Sequence, residues 1–86
     1  MPYGTVRYWA SARAVAGTDE ERVEARTLAE ALAVVEARHA DEPRLAEVLR
    51  VCSFVADGKP VGRRPYEAID LADGWVVEVL PPFAGG

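Results

Sequence analysis

The residues of this chain best suited to chemistry lie at its end, Pro81-Pro82-Phe83-Ala84-Gly85-Gly86. A carboxylate behind two glycines has no side chains to obstruct its entry into another protein's narrow channel, because glycine permits close approach and conformations closed to other residues. A carboxylate is a poor acyl donor, so it needs activation. Adenylation is the usual route, and the activated carbonyl can then accept sulfur as a thiocarboxylate. Gly86 is the candidate reacting residue and Gly85 its thin stem. A diglycine end also reads plainly as an unconstrained terminus. Against that reading, the tail follows an apolar strand directly, Pro81-Pro82 stops that strand because proline offers no ladder amide, and Gly86 is expected to end the chain.

The other chemically capable residues are few. Cys52 is the single cysteine and His39 the single histidine, which excludes an intrachain disulfide and a Cys/His zinc site. Cys52 reads as a sulfur relay or, with more weight, as a small core residue. His39, near a helix C-terminus, reads as a favourable dipole contact. Glu20-Glu21 and Asp41-Glu42 read as turn and helix-start residues, and Arg63-Arg64 as solvated loop charges able to meet an acidic partner. No nucleophile has a base beside it. The chain is therefore expected to bind no metal and no cofactor of its own.

The elements that must position the tail can be read from periodicity. Thr5 to Ala10 reads as a strand, with Val6, Tyr8 and Ala10 on one face and Arg7 and Trp9 on the other. Ser11 to Gly17 is alanine-rich and helix-compatible, Gly17 to Glu20 a turn, and Arg22 to Arg26 a second strand making a hairpin with the first. Thr27-Leu28-Ala29-Glu30 is a capping box. Leu28, Ala31, Leu32 and Val35 then form the apolar stripe of a helix ending at His39 to Glu42. Pro43 can open a second short helix with Leu45, Val48 and Leu49 on one face. Val51 to Ala56 is a third strand, closed by the Asp57-Gly58 turn before Lys59-Pro60-Val61. Arg63 to Asp70 carries no clear pattern. Asp73-Gly74 is a turn before the last strand, Trp75 to Leu80. One main helix across a mixed sheet is a two-layer α+β fold, with residues 1–82 as the domain and 83–86 as a flexible tail.

Bulk properties bound the function. At 86 residues with half of them apolar, the chain is one domain that buries only about 60% of its unfolded surface, too little for a deep active site. A net charge of −4 with no clustered basic face argues against nucleic acid. The N-terminus has no signal-like run and nothing approaches a membrane span. A reducing cytoplasm is the expected compartment.

Val6-Arg7-Tyr8-Trp9-Ala10 with Ala12-Arg13 and Gly17, the Thr27-Leu28 helix start, Asp57-Gly58-Lys59 and above all Leu80-Pro81-Pro82-Phe83-Ala84-Gly85-Gly86 resemble the MoaD branch of the MoaD/ThiS sulfur-carrier family over nearly the whole chain. The resemblance implies a ubiquitin-like β-grasp fold and an ATP-dependent, E1-like (MoeB-like) enzyme that adenylates Gly86 before sulfur transfer. It also implies a large molybdopterin synthase subunit (MoaE-like) into which the tail inserts to give sulfur to a pterin precursor. ATP and pterin sites would belong to those partners. The sequence departs from the family at Trp75-Val76-Val77-Glu78, where an acidic stretch is common, and at Phe83, where a small aliphatic residue is common. Carriers for a cysteine precursor or thiamin thiazole, a protein modifier joined through Gly86, and a binding module without tail chemistry are the alternatives.

If the last strand buries Trp75, Val77 and Val79, alternation places Val76, Glu78 and Leu80 on the other face. Trp9 and Leu80 would then lie together where the tail leaves, with Arg7 and Glu78 as a cross-strand pair. Phe54 would extend an apolar docking patch that also takes in Pro82 and Phe83. A register error of one residue would place Trp9 in the core instead.

Overall fold

The computed structural model describes residues 2–82. Its elements are β1 (Tyr3–Tyr8), α1 (Ala10–Ala16), β2 (Glu20–Glu24), α2 (Leu28–Arg38), α3 (Pro43–Val51), β3 (Ser53–Ala56), β4 (Lys59–Pro60), a 3-10 turn (Tyr66–Ala68) and β5 (Trp75–Leu80). The strands form one mixed sheet in the order β2-β1-β5-β3-β4. β1 and β5 run parallel in its middle, and β2 and β3 flank them antiparallel. The helices cover one face. This is the β-grasp arrangement, and the α+β expectation holds.

β5 alternates as its sequence requires. Trp75, Val77 and Val79 are buried and Val76, Glu78 and Leu80 are half-buried on the opposite face. β1 contributes Gly4, Val6 and Tyr8 to the core. From α2, Leu28, Ala31, Leu32 and Val35 complete the layer, joined by Leu45 and Leu49 of α3. The Thr27 Oγ1 accepts the Glu30 amide at 3.1 Å, as a capping box should, but the Glu30 carboxylate reaches back to the Arg26 amide at 2.8 Å, one residue earlier than the usual partner.

Trp75 explains Gly4. The two are register partners across β1 and β5, and a Cβ on Gly4 would lie 2.1 Å from Cδ2 of the Trp75 ring. The indole therefore occupies the space of an absent side chain. Its Nε1 is the buried side-chain nitrogen or oxygen without a hydrogen-bond partner among the described residues, so packing holds the ring.

Several boundaries differ from the sequence reading. β1 stops at Tyr8, because Ala10 turns into the left-handed region (φ 50°) and begins α1. Trp9 is thus a helix cap and not a strand residue. β2 starts at Glu20, which places Glu20 and Glu21 in a strand instead of a turn. Val51 ends α3 instead of opening β3. Asp57 (φ 50°) and Gly58 (φ 80°) make the two-residue hairpin turn foreseen, with Ala56 paired to Lys59, both positive angles suiting the right-handed strand twist. Arg64 is not a solvated loop charge, since it donates to the Val61 and Pro60 carbonyls at 3.0 and 2.9 Å and so fixes the loop after β4.

Candidate functional site

Phe83, Ala84, Gly85 and Gly86 lie outside the described residues, so the site is built from the pole of the sheet at which β5 ends. There the Trp9 amide donates to the Val79 carbonyl at 3.2 Å, while the Trp9 carbonyl accepts the Ala12 and Arg13 amides at 3.0 and 3.3 Å. The backbone of Trp9 is pinned to β5 on one side and to α1 on the other. Its side chain is 43% exposed. Tyr8 pairs with Val79, one residue before Leu80, and Trp9 borders a surface hollow with Arg7, Arg13, Asp19 and Glu20. Leu80 is half-buried on the open sheet face, and Pro82 is exposed.

Phe54 does not join this surface. It pairs with Val79 across β3 and β5, turns to the helix face and is 3% exposed, with its ring edge-on to Tyr66 at 5.3 Å. The reason is parity: Ser53 pairs with Leu80, so the neighbouring Phe54 must point the other way. A residue the sequence reading missed stands instead at this pole. Val51 is 62% exposed at the end of α3 and precedes Cys52 and Ser53, the latter opposite Leu80. Its signal was present, since the α3 stripe of Leu45, Val48 and Leu49 leaves Val51 off the buried face.

Arg7 and Glu78 are register partners, yet Arg7 pairs with Glu20 of β2, Nε to Oε1 at 3.4 Å, where the antiparallel register also sets them opposite each other.

The densest polar cluster lies away from this pole. Glu21 accepts the Tyr8 hydroxyl at 2.8 Å on the same oxygen that meets His39 Nε2 at 2.6 Å, and its other oxygen faces Arg38 at 3.4 Å. Arg38 also donates to the Arg22 carbonyl at 2.7 Å. His39 is thus a carboxylate partner and not simply a dipole contact. Burial alone would raise the Glu21 pKa, but the hydrogen bonds from His39 and Tyr8 and the nearby cations outweigh it and hold the carboxyl below its usual value. Burial, then the bond to Glu21, pushes the Tyr8 hydroxyl well up. These groups tie β1 and β2 to the end of α2 and leave no free base, so they are structural.

A group whose folded pKa is depressed contributes stability that is present above its unfolded pKa and lost as pH falls through the folded one. Thermal midpoints should therefore fall on acidification below about pH 4.3, the free glutamate value, and Glu21→Gln should fall less steeply. At neutral pH that variant should lose about 1.5–3 kcal/mol, the scale of one charged hydrogen bond. Melting curves of both proteins from pH 3 to pH 7, on the carboxylate titration scale, check this. Parallel curves would refute it.

Cys52 is buried, caps α3 with its amide on the Leu49 carbonyl, and has its thiol pKa raised by burial. A raised thiol is a poor nucleophile, which fits the core reading. Among the described residues no group of three or more His, Cys, Asp or Glu could hold a metal ion, and no helix is long and apolar enough to cross a membrane.

The chain is 36% identical over 84 residues, 94% of its own length and 95% of the relative's, to the molybdopterin synthase sulfur carrier subunit of Chlamydomonas reinhardtii. Its fold superposes on small archaeal modifier protein 1 from Methanosarcina acetivorans with a TM-score of 0.82 at 20% identity, covering 100% of this chain and 98% of that one. It also superposes on a chain of the complex of molybdopterin-converting factor subunits 1 and 2 from Helicobacter pylori, with a TM-score of 0.66 at 24% identity, covering 98% and 99%. Residues 6–86, which include the diglycine, match the ThiS family. With the β-grasp sheet and a last strand that leads into Pro-Pro and Gly-Gly, the chain belongs to the ThiS family.

Proposed function

We propose that this chain is the sulfur carrier of molybdopterin synthesis. An E1-like enzyme uses ATP to adenylate Gly86, sulfur replaces the adenylate to give a thiocarboxylate, and the tail then delivers that sulfur to a pterin precursor inside a large synthase subunit. The chain itself supplies the carboxylate, the thin Gly85 stem and a surface for docking. Nucleotide and pterin are held by the partners, and the reaction belongs in the cytoplasm. The observation that carries this reading is the 36% identity, over 94% of this chain, with a protein named as the sulfur carrier subunit of that synthase.

Intact-mass spectrometry of protein from its native host tests it. The expected result is a population in which one oxygen at Gly86 is replaced by sulfur. Protein found only as free acid or as higher-mass conjugates, under conditions where molybdenum cofactor is being made, would overturn the reading.

The docking surface we assign is Trp9 with Leu80, Pro82 and Val51 around the root of the tail, and Phe83 beyond it. An exposed indole on a pinned backbone is the kind of side chain on which interfaces concentrate their energy. Trp9→Glu should therefore weaken binding to the activating enzyme by about 2 kcal/mol, roughly 30-fold, while the melting temperature stays near wild type because the ring is not core. Calorimetric titration with that enzyme, alongside a melt, measures both. An unfolded variant, or unchanged affinity, would remove Trp9 from the surface.

A further inference from the structure

The two outer edges of the sheet are closed by different means. In the β1–β2 ladder the Tyr8 amide donates to the Asp19 carbonyl and the Ala25 amide to the Pro2 carbonyl. Alternation along an antiparallel ladder then turns the backbone groups of Glu20, Arg22 and Glu24 away from β1, and because β2 is an edge strand they face outward. Such a row is a template for another strand. Two of its carbonyls are occupied. The Thr18 hydroxyl donates to the Glu20 carbonyl at 3.2 Å, and Arg38 reaches from the end of α2 to donate to the Arg22 carbonyl at 2.7 Å. On the opposite edge the outward residue of β4 is Pro60, which has no amide to offer, and Arg64 holds its carbonyl at 2.9 Å. The β4 edge is thus closed by its covalent structure. The β2 edge keeps its outward amides and is closed by a side chain that is 46% exposed and free to swing away.

We infer that the outer edge of β2 is a self-association surface, closed by Arg38, on which a second copy of this chain adds its own β2 antiparallel about a twofold axis. Charge sets the register. Centred on Arg22, the pairing would set Arg22 against Arg22 and Glu20 against Glu24, and like charges directly opposite destabilise a strand pair. Centred on Glu21, it would bring two Glu21 carboxylates together. Centred on Val23, it sets Arg22 of each copy opposite Glu24 of the other, at positions whose outward amides and carbonyls can exchange hydrogen bonds. Both side chains lie on the open face of the sheet, Arg22 with its guanidinium 5.6 Å from the centre of the Tyr3 ring and Glu24 opposite Tyr3 in the ladder. The added strand extends the sheet in its own plane and leaves that open face uncovered. With Arg38 in place, pairing must first break a charged hydrogen bond to the Arg22 carbonyl.

Sedimentation equilibrium on the full chain and its variants tests this. Arg38→Ala is expected to dimerise about tenfold or more tightly than the wild type, the scale of one charged hydrogen bond that no longer has to be broken. Amide hydrogen exchange at Arg22 and Glu24 should slow in the dimer. Arg38→Lys keeps a cationic donor and should behave as the wild type. Adding Arg22→Glu to Arg38→Ala sets carboxylates opposite each other and should return the monomer, and adding Glu24→Arg to that pair should restore the dimer. Arg38 also faces Glu21 at 3.4 Å, so each variant is melted alongside, and Arg38→Met, which keeps the aliphatic stem, takes the place of an unfolded Arg38→Ala. A folded Arg38→Ala or Arg38→Met as monomeric as the wild type, a dimer indifferent to Arg22→Glu, a dimer that protects other amides instead, or no recovery with Glu24→Arg would each overturn the assignment.

Discussion

Deletion of Gly86 is expected to abolish thiocarboxylate formation by the ATP-dependent activating enzyme and to leave the fold untouched. The reacting carbon would then belong to Gly85, drawn back along the chain by one residue, about 3.5 Å of backbone. Enzymes that gain their rate from positioning lose about 100-fold for a misplacement of 1 Å, so a shift of this size should take activity below detection. The described core ends with β5 at Leu80, and removal of a terminal residue beyond it should change stability by less than about 0.5 kcal/mol. Gly86→Ala keeps the length and adds a methyl group beside the carboxylate, so it should fall between wild type and deletion. ATP–pyrophosphate exchange reports the adenylation step and intact mass the sulfur step. Thiocarboxylate on the deletion variant would defeat the assignment of Gly86.

Gly4→Val is expected to unfold most of the protein. The position needs glycine for space and not for backbone freedom, because the ideal Cβ falls 2.1, 2.3 and 2.4 Å from three atoms of the Trp75 indole. That ring is 1% exposed, with Val6 and Val77 fully buried beside it, so it has nowhere to retreat without moving the middle of the sheet. Overpacking of this kind costs about 1–3 kcal/mol for small additions and more for branched ones, against a total stability on the order of 5–15 kcal/mol. Gly4→Ala should lose about 3 kcal/mol, and Gly4→Val more. Pairing Gly4→Ala with Trp75→Leu should recover part of the loss, since neighbours that share space do not behave additively. Denaturant melts of the two single variants and the double measure the coupling. Gly4→Ala within about 0.5 kcal/mol of wild type, the range of an ordinary surface change, would show that the ring moves freely.

Those two residues show where the sequence was readable and where it was not. The Thr27-to-Glu30 signal and the stripe Leu28, Ala31, Leu32, Val35 marked α2, because an amphipathic helix writes its contacts at short spacing. The alternation of Trp75 to Leu80 marked β5 and its buried face for the same reason. Gly4 could not be explained locally, since its partner lies at the far end of the chain. Ala10 deceived the period-two pattern: an alanine with a positive φ carries no signal, and Trp9 was read as the strand's next residue when it is the hinge into α1. Glu21, His39 and Tyr8 come from three separate elements and meet only in space, so their separate sequence contexts suggested a turn, a helix end and a core tyrosine. Phe54 was misjudged by parity alone, one residue of register exchanging core for surface. The diglycine reading, by contrast, is chemical and needs no partner within the chain, and it falls on residues outside those the structure describes.

The parallel pairing of β1 with β5 also sets an order of events in the life of the protein. The first strand has no central partner until the last one has been synthesised, and pairing across such a sequence separation is slow to nucleate compared with local hairpins and helices. The backbone anchor of Trp9 on Val79 forms only at that final step. A nascent or truncated chain that lacks β5 therefore displays neither the pinned Trp9 backbone nor an end rooted in the middle of the sheet.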